Sequence, residues 1–181
     1  MSATEIQTST YTIDPAHSSV EFAVKHLGIA SVKGTFATFE GTLVLGDSLA
    51  GAQAYGTVEV ASIDTKESTR DDHLRSADFF DAENHPQLTF RSTAIRPIDD
   101  ETFDIVGDLT MHGITRELTL RAELQGTEID PWGNERIGVE VKGQLNRSDW
   151  DMRFNQVLGS GNVLVSDKVK LSLDISAVKQ S

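Results

Sequence analysis

Apolar residues recur at every second position through most of this chain, and that period confines it to strands with one buried and one wet face. Val20, Phe22 and Val24 alternate with Glu21, Ala23 and Lys25, and Leu118, Leu120, Ala122 and Leu124 alternate with Glu117, Thr119, Arg121 and Glu123. Near the C-terminus Val169, Leu171, Leu173, Ile175 and Ala177 do the same. So do Phe103-Ile105-Gly107-Leu109-Met111, Ile137-Val139-Val141-Gly143-Leu145, Leu88-Phe90 and Val58-Val60. Turn chemistry separates these runs at Asp14-Pro15, Gly46-Asp47, Asp99-Asp100, His112-Gly113, Asp130-Pro131-Trp132-Gly133 and Gly159-Ser160-Gly161. Gaps this short join antiparallel neighbours, because parallel strands need crossovers of a dozen or more residues. The expected architecture is all-β: an antiparallel barrel of about eight strands, whose closure removes exposed edges.

One interval breaks the period. From Thr65 to Asn84 the alternation stops, and Ser68 or Thr69 followed by Asp71 or Asp72 predicts a capped short helix at residues 67–77, with Phe79-Phe80 packing behind it. A minor helical turn is expected at Asp149 to Phe154, where Trp150 and Phe154 are four apart. A length of 181 residues fits a single domain, read as residues 11–181 after an N-terminal extension of residues 1–10.

Charge and composition remove several function classes. The chain carries 16 Lys+Arg against 28 Asp+Glu, a net charge of −12, which disfavours nucleic acid and anionic membrane surfaces as partners. It has no cysteine, excluding disulfides, thiolate metal sites and thiol nucleophiles. Met1 to Thr10 shows no basic segment, apolar run or cleavage site, which predicts a cytoplasmic protein. No apolar run approaches the roughly 18 residues of a spanning helix, so membrane insertion is not expected.

Catalytic signals are sparse. The five histidines His17, His26, His73, His85 and His112 show no i, i+4 metal pair, and there is no nucleophile elbow or phosphate loop, so neither a metal nor a cofactor is expected. His112 falls at a hairpin tip, where a turn role competes with a catalytic one. Asp71-Asp72-His73 reads as a solvated helix face, and Asp149 and Asp151 as a loop at the barrel rim.

The inward face carries more information, because a barrel of about eight strands is either filled by its own side chains or holds one small ligand. The residues expected along a lumen are Val20, Phe22, Val24, Phe36, Val58, Val60, Phe80, Phe90, Phe103, Ile105, Leu118, Leu120, Val139, Val141, Leu171 and Leu173. The alternation alone leaves a packed barrel and a hollow one both open.

An ordered set of motifs runs from about Tyr11 to Val178. It begins with Tyr11-x-Ile-Asp14-x-x-His17-Ser18-x-Val20-x-Phe22-x-Val24-Lys25-His26 and continues through Gly34-x-Phe36, Gly41 and Ile63-Asp64-Thr65. Next come Arg70-Asp71-x-His73-Leu74-Arg75-Ser76-x-Asp78-Phe79-Phe80 and His85-Pro86-x-x-x-Phe90, then Gly107-x-Leu109-Thr110-x-His112-Gly113 and Arg147-x-Asp149. In these residues the chain resembles the YceI-like proteins.

The resemblance implies an extended, lipocalin-like barrel around a long apolar ligand: a polyisoprenoid such as an isoprenoid quinone or prenyl pyrophosphate, or another long-chain lipid such as a fatty amide. It implies carriage without catalysis, and in some members a homodimer. Arg70, His73, Arg75, Arg147 and Asp149 match motif positions and are the expected polar residues of the mouth; salt bridging at the rim is the alternative role for them. Two other readings stay open: an enzyme acting on an isoprenoid or lipid through His112 or His73, and a packed-barrel interaction or stress-response protein.

Overall fold

In the computed structural model, which describes residues 8–46, 51–161 and 163–180, strands dominate the chain as their alternation requires. The strands are β1 (Thr8–Ile13), β2 (Ser19–His26), β3 (Ala30–Phe36), β4 (Phe39–Gly46), β5 (Gln53–Glu59) and β6 (Ile63–Asp64), followed by the helix α1 (Ser68–Arg75). Then come β7 (Gln87–Pro97), β8 (Thr102–Met111), β9 (Ile114–Ile129), β10 (Glu135–Asn146) and β11 (Val165–Lys179). Every strand pairing among the described residues is antiparallel.

Eight of the strands close into a ring in the order β1-β4-β5-β7-β8-β9-β10-β11, with β11 returning to β1. The remaining three, β2-β3-β6, branch from β11. The branch exists because the N-terminal strand breaks at Asp14-Pro15. Pro15 has no N–H to give a ladder, and the Asp14 carboxylate accepts from the Ala16 N–H, folding Pro15–His17 into a 3-10 turn. On either side of that turn, β1 pairs with the end of β11 (Ile13 with Ala177) and β2 with its first part (Phe22 with Leu171).

The structure shifts several expected boundaries. Thr8 to Thr10, assigned above to an extension, already pair with Val44 to Gly46. Residues 1–7, Ser181 and the Asp47 half of the Gly46-Asp47 turn lie outside the described residues. The helix is capped by Glu67, whose carboxylate accepts from the Thr69 and Arg70 N–H groups, rather than by Ser68 or Thr69. Asp71 is buried instead of solvated, because its carboxylate accepts both the backbone N–H and the hydroxyl of Thr65. The second helical turn falls earlier, at Arg147–Trp150, and ends at Asp151 in the left-handed region (φ 58°), so Trp150 and Phe154 do not share a helix face.

Two apolar clusters organise the interior. Tyr11, Ile137, Ile175 and Ala177, with Ile13, Leu45 and Leu124 against them, seal one end of the ring. The larger cluster extends from Ile105, Leu118 and Val141 to Phe79, Trp150 and Met152 beneath α1.

A polar clamp ties the sealed end together. Arg136 of β10 donates to Asp14 (2.9 Å) and to Asp130 of the β9–β10 turn (2.9 Å), and the His17 ring also bonds Asp14. The Arg136 guanidinium first, and then His17, hold the Asp14 carboxyl down from 3.8 to about 2. Because the folded-state value is depressed, the contribution is present above the unfolded value and is lost as the pH falls through the folded one. Asp14→Asn is therefore expected to melt below wild type near neutrality, with the difference shrinking between 3.8 and about 2 as the wild-type carboxyl takes up its proton. Paired thermal melts across that range check it.

Candidate functional site: an apolar tunnel with a cationic opening

The inward faces of the strands do not meet at the axis. They surround a cavity of about 260 Å³ whose wall is almost wholly apolar. Val20, Phe22 and Val24 of β2 face it, with Phe36 of β3, Val58 of β5, Phe90 of β7 and Ile105 of β8. Leu118 and Leu120 of β9, Val141 of β10, Leu171 and Leu173 of β11, and Phe80 beyond α1 complete the residues that alternation placed there. Leu171, Leu173, Phe22 and Phe90 sit within paired strands yet stay only partly buried, because the hollow leaves their inner surfaces uncovered. Phe90 fits against the wall because Gly107, on the neighbouring strand β8, has no side chain: a Cβ there would stand 2.5 Å from the Phe90 ring and 2.6 Å from the Arg91 carbonyl.

Three expected lining residues do not reach the cavity. Val60 leaves the strand for a 3-10 turn at Val60–Ser62 and is buried, 1 % exposed, without lining the cavity. Val139 packs between the two apolar clusters, toward the sealed end. Phe103 follows the inward alternation of β8 but pairs with Ala122 one step beyond Ile105, past the end of the hollow.

Other residues join the wall. Leu43 and Ala54 come from β4 and β5, where glycines and threonines blur the period, and Met152 comes from irregular chain that gives no sequence signal.

At the α1 end a second space of about 180 Å³ shares Phe22, Val24, Leu74, Phe79 and Val165 with the tunnel. Its polar wall is Lys25, His26, Thr65, Arg70 and His73, with no carboxylate among the lining residues. In a chain of net charge −12, this vestibule beside the tunnel is thus lined by the cations Lys25 and Arg70. Arg70 is held by two bonds to Thr65, at 2.7 Å to the hydroxyl and 2.7 Å to the carbonyl. His73 bonds Asp78 at 2.9 Å and meets the rings of Phe79 and Phe154 edge-on.

Arg147 lines the tunnel itself, 4 % exposed, and burial pushes its guanidinium below its ordinary range while Asp167 acts in the opposite sense. The two other expected mouth residues are elsewhere. Arg75 is in neither wall; it donates to the carbonyls of Ala61 and Ile63 and to Asp72, so it pins α1 to the Val60–Ser62 turn and to β6. Asp149 is exposed on the 3-10 turn, where only its carbonyl is engaged, by Arg116. His112 also lies outside both walls: it occupies the β8–β9 turn with φ 55°, bonds the Trp150 carbonyl and stacks edge-on against His85. Among the described residues no group of three or more His, Asp or Glu is placed to hold a metal, and no helix is long and apolar enough to cross a membrane.

Comparison with known proteins agrees with this architecture. The family model described as a YceI-like domain matches residues 11–177. Protein YceI of Escherichia coli O157:H7 is 38% identical over 165 residues, covering 91% of this chain and 83% of its own. Among solved structures, Burkholderia cenocepacia BcnA superposes with a TM-score of 0.78 at 23% identity, covering 91% of this chain and 98% of BcnA. A Saccharophagus degradans domain described as polyisoprenoid binding and implicated in plant cell wall breakdown gives 0.71 at 15% identity, covering 94% of this chain and 98% of that domain. Both structural likenesses speak to the fold.

Proposed function

The chain belongs to the YceI-like family, and on that premise we propose that it is a binding and carrier protein whose tunnel takes the hydrocarbon of a long-chain isoprenoid, a polyprenyl or isoprenoid quinone, or a similar lipid. The observation that carries this reading is the hollow itself: apolar side chains at strand centres left partly uncovered around about 260 Å³ of space. The polyisoprenoid-binding description of the Saccharophagus degradans domain supports it at the level of fold.

The energetics suit a carrier. Each buried methylene is worth about 0.8 kcal/mol, so ten of them supply a gross ~8 kcal/mol before the costs of association. Because hydrophobic transfer is non-directional, such a wall distinguishes chains by length and girth more than by chemistry. No step of bond making or breaking is needed, and the ligand leaves as it entered.

Native mass spectrometry of protein purified without detergent is expected to show a co-purified lipid mass. Protein stripped of lipid and refolded is expected to take up a supplied isoprenoid quinone and return it chemically unchanged after long incubation. A protein that is empty and refuses the quinone and a long-chain fatty acid alike would overturn the carrier reading, and a chemically altered product would replace it with an enzyme.

A further inference from the structure

Among the described residues Arg147 is the one cation whose side chain is buried in the tunnel wall. It stands where β10 ends, and its guanidinium reaches only main-chain oxygens: Ser166 from Nε at 3.0 Å, Met152 from one terminal nitrogen at 2.8 Å and Val165 from the other at 3.1 Å. Among the described residues no carboxylate lies within ion-pair distance of it. Asp167, the acid that acts on it through space, is already bonded to the backbone N–H and hydroxyl of Ser148. The guanidinium also lies over the ring of Phe79, itself a wall residue, at 5.8 Å.

A guanidinium has five N–H groups, and three are committed here, leaving one on each terminal nitrogen. Carbonyl dipoles moderate the charge without neutralising it, and a buried charge without a counter-charge is costly. A ligand group that complements the two remaining N–H groups carries one negative charge and two acceptor oxygens, the geometry a guanidinium pairs with best.

We propose that Arg147 is the head-group anchor of the tunnel and that the cargo it selects is a long-chain monocarboxylate, a fatty or prenyl acid, held with its head at the α1 end and its tail toward the sealed end. This rests on the carrier reading and narrows it. A single wall cation balances a single charge, whereas a pyrophosphate would need the vestibule cations as well.

The test uses delipidated full-length protein and displacement of a fluorescent lipid by myristic acid, tetradecanol, farnesoic acid and farnesyl pyrophosphate. Hydrogen bonds to a charged group are worth ~1.5–3 kcal/mol, so wild type is expected to prefer myristic acid to tetradecanol by about tenfold or more. In Arg147→Met that preference of acid over alcohol is expected to vanish, and Arg147→Lys, which keeps the charge but loses the fork, is expected to fall between. Equal affinity of wild type for acid and alcohol would overturn the anchor while leaving the carrier intact. So would an acid preference that survives Arg147→Met, or tighter binding of farnesyl pyrophosphate than of farnesoic acid. If wild type binds neither tail, both readings fall. Should Arg147→Met not fold, the wild-type ratio and Arg147→Lys decide.

Discussion

Leu171→Trp is expected to weaken uptake of long-chain ligands by roughly 200-fold while leaving the fold in place. Leu171 projects into the tunnel from a strand paired on both sides, with Gly143 on β10 and Phe22 on β2. In a filled core a larger side chain costs about 1–3 kcal/mol in strain. Here the indole enters space that is already empty, so little of that cost arises. What is lost is ligand volume: displacing about four methylenes at ~0.8 kcal/mol each weakens binding by roughly 200-fold. Lys170→Trp, one residue away on the exposed face, is the control and is expected to bind as wild type. Titration with a fluorescent long-chain lipid, alongside circular dichroism of each variant, separates a blocked tunnel from a lost fold.

Trp150→Ala is expected to cause a large loss of stability. Trp150 is 2 % exposed, packs in the main apolar cluster and donates its indole N–H to the Leu109 carbonyl at 3.0 Å. Truncating a buried aromatic residue costs about 3–5 kcal/mol, and for a chain of this size each kcal/mol lowers the melting temperature by about 2–4 °C, giving a drop of ~10 °C. Trp150→Phe keeps most of the packing and loses only the N–H bond, so it is expected to lose about 1–3 kcal/mol. Thermal melts of the two variants separate packing from hydrogen bonding.

The alternation exposed the ring and most of the tunnel wall because the period of a strand equals the period of its burial: Leu118, Leu120, Leu171 and Leu173 could be read straight from the chain. Volume could not. A strand facing a hollow and a strand facing a packed core have the same sequence pattern, and only the incomplete burial of Leu171 and Leu173 distinguishes them.

Charged residues were the least legible. Asp71 reads as solvated and Arg147 as a mouth or rim residue in the sequence, but each is buried because its surroundings supply its partners, Thr65 for the first and three carbonyls for the second. Arg75 and Asp149 carry the same kinds of charge and are in neither wall, since residue type does not encode which way a short helix or a 3-10 turn presents a side chain. Val60 was misplaced for a related reason: its spacing from Val58 continues the period after the strand has turned away.

Closure of the ring depends on unequal joints. The β10–β11 ladder runs from Arg136–Val178 to Asn146–Lys168, whereas β1 meets β11 only at Tyr11, Thr12 and Ile13. The cylinder is a long sheet rolled up and fastened by a short clasp, with Arg136 and Asp14 as its rivet. Loosening that clasp would free the ring at its sealed end first, while the β10–β11 and β11–β2 ladders stayed paired.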